Sequence, residues 1–153
     1  VDIKLPANSV VGLHGTSRAD KLWPTENWKS LAKALAQTGR SLVLPWGNDE
    51  ERLRAEDIAS HASHVLVLPK LDLNTLASLI DQAQAVVGVD TGLLHLAAAL
   101  GKPGLALYTT TAPDLTGAIS DRHALAPLRN LATPQELQAA FVTDALIATL
   151  ENC

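Results

Sequence analysis

Cysteine is almost missing from this 153-residue sequence: the single Cys153 stands at the last position. One thiol cannot pair internally, so no disulfide framework is available and a cytoplasmic setting is the expectation. Aromatic residues make up 3% of the chain, too few to supply a stacking platform for single-stranded nucleic acid. Twelve basic residues, scattered among 16 acidic ones for a net charge of −4, leave no concentrated positive footprint for a nucleic-acid partner. Hydrophobic residues reach 47%, yet the apolar runs break every few positions and none approaches the roughly 20 residues that span a bilayer. No charged segment followed by an apolar stretch opens the chain as a secretion signal would, and nothing reads as an amphipathic anchor, so membrane contact is expected to be peripheral at most. Also absent is any Asp-x-Asp pair, the usual chelate that sets a divalent ion against a diphosphate. His61, His64 and His123 have no Cys or carboxylate partners at metal-ligand spacing and read as surface or turn residues, so no metal site is expected.

What remains has a clear alternation. Five short apolar runs (Val10 to Leu13, Leu42 to Leu44, Val65 to Leu68, Ala85 to Val89 and Leu105 to Tyr108), each bounded by Gly, Pro, Asp or Asn, are separated by stretches with helical spacing. The runs lack two-residue periodicity, as strands covered on both faces do, and the pattern predicts an α/β domain: a Rossmann-like parallel sheet with helices on both faces. A first helix is predicted over about Pro24 to Gln37, with Trp28, Leu31, Ala32 and Leu35 on one face and Gly39 ending it. A second, about Asp49 to Ser60, opens on three acids that suit a helix N-terminus. Asp72 caps a third carrying Leu73, Leu76, Leu79 and Ile80. Thr91 to Leu100 makes a fourth, closed by Gly101 with Pro103 beyond. A last helix is expected from roughly Pro134 to Leu150, after a less regular stretch holding a short strand near Ala124 to Leu128. The length suits a single domain over residues 1–153. Val1 is not preceded by an initiator Met, and the expectation is a fragment of a longer protein.

In an open parallel sheet, ligands sit at the carboxyl ends of the strands. Three loops there carry candidate chemistry. After the first strand, His14-Gly15-Thr16-Ser17 is a small hydroxyl-bearing turn whose amides and side chains suit phosphate oxygens, and Lys21 can add a point charge. The same residues equally describe an ordinary turn beside a solvated lysine. After the fourth strand, Asp90-Thr91-Gly92-Leu93-Leu94-His95 passes directly into a helix. Gly92 lets a ligand approach the backbone, the first-turn amides face outward, and Thr91 and His95 share a helix face. The plainer reading makes Asp90 a cap and His95 a satisfied histidine. After the second strand, Pro45-Trp46-Gly47-Asn48-Asp49-Glu50 brings carboxylates to a strand end, where one can accept from ribose hydroxyls or simply charge a solvated helix start. Trp46 can stack near a base, although Trp23, Trp28 and Trp46 all read more simply as packing residues.

Together, His14-Gly-Thr-Ser-Arg-Ala-Asp-Lys21-Leu-Trp-Pro24, Leu44-Pro-Trp-Gly47 and Val89-Asp-Thr-Gly-Leu-Leu-His95-Leu with Gly101-Lys-Pro103 resemble the C-terminal domain of the type I lipopolysaccharide heptosyltransferases, glycosyltransferase family 9. The resemblance covers roughly Val10 to Pro113, and Pro-Trp-Gly sides with type I over type II. It implies the GT-B arrangement, two Rossmann-like domains facing across a cleft, with the N-terminal acceptor domain absent from this chain. It implies that Thr16, Ser17 and Lys21 contact the diphosphate of an ADP-heptose donor, supported by Thr91 and Gly92. Asp90 and His95 would lie near heptose and phosphates, Asp49 or Glu50 would hold the ribose, and Leu71 would pack beside adenine. The implied activity is metal-independent, inverting transfer of L-glycero-D-manno-heptose from ADP-heptose to Kdo of the lipid A-linked inner core. No separate cofactor is implied, and the catalytic base falls in the missing domain. After the fifth strand the family's Gly-Pro-Thr is replaced by Tyr108-Thr-Thr-Thr-Ala-Pro113, which puts sugar contacts from that loop in question.

Two other functions fit the same residues. One is a transferase or epimerase of this fold that uses a UDP-sugar, since a phosphate grip is largely indifferent to the base. The other is a non-catalytic nucleotide sensor or interaction module. A phosphate-accepting receiver domain fits poorly, because the clustered acids and paired lysine it needs do not come together at the strand ends.

Overall fold

All five predicted apolar runs form strands, and in the computed structural model, which describes residues 4–16, 21–60, 62–89, 91–109 and 128–151, they lie side by side. In chain order the elements are β1 (Ser9–Leu13), α1 (Thr25–Gln37), β2 (Ser41–Leu44), α2 (Asp49–Ser60), β3 (Val65–Val67), α3 (Leu73–Gln82), β4 (Ala85–Val89), α4 (Gly92–Ala99), β5 (Gly104–Leu107), β6 (Leu128–Leu131) and α5 (Ala139–Glu151). The sheet order is β3-β2-β1-β4-β5-β6, and every pairing is parallel. This is the doubly wound order, in which the chain moves outward from β1 in one direction and then from β4 in the other.

Both faces of the sheet are buried, which is why the strands read as unbroken apolar runs. Residues of one parity (Val10, Leu42, Leu44, Val87, Leu105) pack with Trp28, Leu31 and Leu35 of α1, Ile58 of α2 and Leu146 of α5. The other parity (Val11, Leu13, Val43, Val86, Ala106) packs with Leu79 and Ile80 of α3 and Leu94 and Ala97 of α4. Each fully buried Leu or Val removes enough apolar surface from water to contribute about 1.5–3 kcal/mol, so the central strands anchor everything at their ends.

Helix boundaries follow local chemistry. The Asp72 carboxylate accepts the Thr75 amide at 2.8 Å as the cap of α3. Gly39 and Gly101 take positive φ, 74° and 75°, just past α1 and α4, the conformation for which glycine ends helices. Pro24 occupies the N-cap position of α1 rather than its first turn.

The C-terminal region departs from the expected layout. The sixth strand is Leu128–Leu131, later than expected, while residues 124–127 lie outside the described residues. The last helix begins at Ala139 and not at Pro134. Residues 134–137 form a separate turn closed by a local box: Thr133 Oγ1 accepts the Glu136 amide at 3.1 Å, and the Glu136 carboxylate accepts the amides of Ala132 and Thr133 at 3.2 and 3.1 Å. The Leu137 carbonyl then accepts the Trp23 indole N–H at 2.8 Å, a partner from α1's approach that no local helix signal reveals. Among the described residues no helix is long and apolar enough to cross a membrane.

Candidate functional site

The carboxyl ends of β1 and β4 are neighbours in the sheet, yet the chain leaves them toward opposite faces, so a crevice opens between their loops. A hollow of about 630 Å³ occupies this position and extends over the ends of β2 and β3. Gly15, Thr16 and Lys21 border it from β1, and Thr91, Gly92 and His95 from the start of α4. The three loops singled out in the sequence therefore converge on a single space.

At the β4 side, Thr91 is the N-cap of α4 in extended conformation, and its side chain makes no capping hydrogen bond. The Leu94 amide donates to the Thr91 carbonyl at 3.0 Å, while the amides of Gly92 and Leu93 precede the first intrahelical acceptor, as at any helix start, and carry partial positive charge. A Cβ placed on Gly92 would meet nothing within 4 Å, so this backbone faces open space rather than packed protein. His95, one turn on, also borders the hollow. Asp90 and Ser17 lie outside the described residues, as do His61, His123 and Thr110 to Pro113 of the loop after β5.

At the β1 side, His14 is 1% exposed. Its Nε2 lies 2.9 Å from the Pro45 carbonyl oxygen, which can only accept, so Nε2 carries the proton and Nδ1 is a bare acceptor. Burial, then the charge of Arg54, push its pKa down to about 4 against the opposing effect of the Pro45 bond. His14 is therefore neutral at physiological pH. Its ring meets Trp28 edge-on at 6.5 Å, and Trp28 meets Trp23 likewise at 5.0 Å, confirming these two tryptophans as packing residues.

The β2 loop brings a different acid to the hollow from the two expected. Asp49 and Glu50 are not among the residues that line the hollow: Asp49, 88% exposed, pairs with Arg52 at 3.8 Å, and Glu50, 82% exposed, pairs with Arg54 at 3.6 Å. The acid that borders the hollow is Glu51. Its carboxylate accepts the Gly47 amide at 2.8 Å while its own amide donates to Asn48 Oδ1 at 2.8 Å, a reciprocal lock at the start of α2. Successive helical residues turn by about 100°, so only one of three adjacent acids can face a given side. Glu51 also packs against Gly15, where any Cβ would collide with its carboxylate.

The remaining wall is apolar. Leu71 borders the hollow as expected, joined by Leu76 of α3 and by Trp46. The Trp46 indole N–H donates to the Leu68 carbonyl at 2.6 Å, and Arg52 lies 5.8 Å from its ring centroid. Lys70 adds a second cation at this end. Lys70 stands just past β3, a strand end like those of the other loops, but no motif around it singles it out.

A heterogeneous wall, with amides, hydroxyls and Lys21 at one end and leucines beside Lys70 at the other, suits an elongated ligand with an anionic middle and a flat apolar terminus. The chain is 43% identical over 123 residues to lipopolysaccharide heptosyltransferase 1 of Escherichia coli K12, a match covering 79% of this chain and 39% of that protein. It is 46% identical over 109 residues to the corresponding enzyme of Pseudomonas aeruginosa PAO1, covering 71% of this chain and 31% of the relative. Among solved structures, the E. coli heptosyltransferase WaaC with ADP-2-deoxy-2-fluoro heptose superposes with a TM-score of 0.80 at 36% identity, over 97% of this chain and 45% of that one. The chain thus spans less than half the length of the relatives it matches. The family model for glycosyltransferase family 9 (heptosyltransferase) matches residues 2–140, and with these similarities the chain belongs to that family.

Proposed function

We propose that this chain is the donor-binding part of a heptosyltransferase and that the hollow holds ADP-heptose. The observation that carries this reading is the convergence of Thr16, Lys21, Thr91 and Gly92 on one crevice. The diphosphate lies between the amides around Gly15 and the N-terminus of α4, with Lys21 as counter-charge. Adenine lies against Leu71 and Leu76. Glu51, rather than Asp49 or Glu50, is the carboxylate within reach of the ribose, and His95 faces the heptose side. Support comes from the family match and from the WaaC structure, which contains an ADP-heptose analogue.

In the intact enzyme the reaction is transfer of L-glycero-D-manno-heptose to Kdo of the lipid A-linked inner core with inversion. The departing ADP gains negative charge as the glycosidic bond breaks, and fixed donors aimed at it lower the barrier without a metal ion. Removing one such donor typically costs on the order of a hundredfold in rate. The base that deprotonates the acceptor hydroxyl belongs to a second domain, and donor binding is the part of the reaction that the residues around this hollow carry. The setting is cytoplasmic, with peripheral contact at the membrane that carries the acceptor.

Calorimetric titration tests the reading directly. ADP should bind, UDP at least about tenfold more weakly, and EDTA should leave the ADP affinity unchanged. Equal affinity for UDP would favour the UDP-sugar alternative, and no binding of either nucleotide would overturn the donor site.

A further inference from the structure

His14 is used by neither the phosphate grip nor the nucleoside pocket, yet it is buried at the junction of the two loops that form them. The ladder between β1 and β2 pairs Ser9 with Ser41, Val10 with Leu42 and Val11 with Val43. Past the strand ends the chains part, one toward Gly15 and Thr16, the other toward Trp46 and Gly47. The His14 Nε2–H bond to the Pro45 carbonyl, 2.9 Å long, is a buried tie between them beyond the last ladder pair. Two further groups lie beside the ring. Trp28 of α1 meets it edge-on, and Arg54 of α2, with a side chain only 13% exposed, places its charge nearby. Both His14 Nδ1 and Arg54 Nη1 are buried without a hydrogen-bond partner among the described residues. A second proton, on Nδ1, would set a cation beside the guanidinium, and the Nδ1–H tautomer would turn a bare Nε2 toward the Pro45 oxygen, so the ring is confined to the neutral Nε2–H form and its donor stays directed at Pro45.

We propose that His14 is a positioning residue: through its Nε2–H bond to Pro45 it fixes the spacing between the phosphate-facing turn at Gly15 and Thr16 and the nucleoside-facing turn at Trp46 and Gly47. Glu51 spans the same two loops, accepting from Gly47 and lying against Gly15. The loop pair is thereby held in its ligand-binding spacing before a ligand arrives, and a ligand that bridges both loops does not have to order them. The proposal deepens the donor-site reading and rests on it for the choice of ADP as probe.

Three variants of this chain separate the tie from mere filling of space. His14→Gln places an amide N–H where Nε2 was. His14→Asn carries a similar amide too short to reach Pro45, and His14→Phe keeps the ring without the donor. With folding verified by circular dichroism and thermal melting, H14Q should bind ADP within about threefold of the unsubstituted chain, and H14N and H14F at least about tenfold more weakly, as loss of one buried hydrogen bond implies. Equal affinity of H14N and H14Q, or full affinity of folded H14F, overturns the positioning role. Should H14F not fold, the Asn and Gln pair decides. Nitrogen-15 spectra of the unsubstituted chain provide a readout independent of nucleotide: His14 should be the neutral Nε2–H tautomer throughout about pH 6 to 8. A charged or Nδ1–H ring there refutes the tie. Failure of the unsubstituted chain to bind ADP would instead overturn the donor-site reading, and the spectra alone would then judge His14.

Discussion

Gly15 and Gly92 border the same hollow and exclude side chains for opposite reasons. A Cβ at Gly92 would meet nothing within 4 Å, whereas at Gly15 it would run into the Glu51 carboxylate. Gly92→Ala should therefore leave the melting temperature within about a degree, since surface changes without lost contacts stay within roughly 0.5 kcal/mol. Its methyl group projects into ligand space and should weaken ADP binding severalfold in calorimetry. Unchanged affinity would move the diphosphate away from α4. Gly15→Ala should both destabilise the fold and weaken ADP, because Glu51 must leave Gly47 to make room. At this scale the sequence was partly legible. The strand-end rule located Thr16, Lys21, Thr91, Gly92 and His95 around the hollow, but it pointed to Asp49 or Glu50, whereas Glu51 is the acid that borders the hollow. That choice depends on the rotational register of α2, which Asn48 and Gly47 set by binding Glu51.

Elements form where local signals and burial agree. For α3, Asp72 caps the first turn, and the bonds from Thr75 hold its carboxyl below the usual carboxylate range. A depressed folded-state value means that the cap's contribution is complete above the unfolded carboxyl pKa and is lost as pH falls through the folded one. Asp72→Ala should lower the urea midpoint at neutral pH while Asp72→Ser retains most of it, and the difference between D72A and the parent should shrink in acid. A difference that persists at low pH would mean that Asp72 acts otherwise than as an ionised cap. For α5 the local signal misleads. Pro134 and the acid at 136 look like a helix start, and they do begin a turn, but the turn closes on its own box and the helix starts five residues later. The Trp23 indole that meets Leu137 is 114 residues away in sequence, beyond any local reading.

At the scale of the whole molecule, the buried neutral His14 couples global stability to pH. Its pKa is lowered from the ordinary 6.5 to about 4, so the unfolded chain takes up the proton first. Stability from this group is therefore complete above about pH 6.5 and declines as pH falls toward 4, by up to roughly 3 kcal/mol. Urea melts at pH 7 and pH 5 should show that decline, and H14Q, which has no proton to gain, should show a smaller one. An equal decline in both would place the pH sensitivity elsewhere. Ligand linkage gives a second whole-molecule measurement. ADP at a hundred times its Kd should stabilise the fold by about 2.7 kcal/mol and raise the melting temperature by several degrees, whereas an unmoved transition would argue against a site in the folded state.

Hydrophobic periodicity and its punctuation determined, without coordinates, which segments become strands and helices, that the sheet is parallel and covered on both faces, and that chemistry gathers at its carboxyl edge. Those features depend on interactions between residues close in sequence and on the burial that an unbroken apolar run demands. Only the tertiary structure decided which acid turns inward, that Lys70 joins the wall, where the final helix begins, and that a histidine after β1 fastens itself to a carbonyl after β2. The last of these joins groups distant along the chain across parallel strands, and the others rest on how α2 is rotated and how the turns close, where small rotations determine which atoms come within hydrogen-bonding distance.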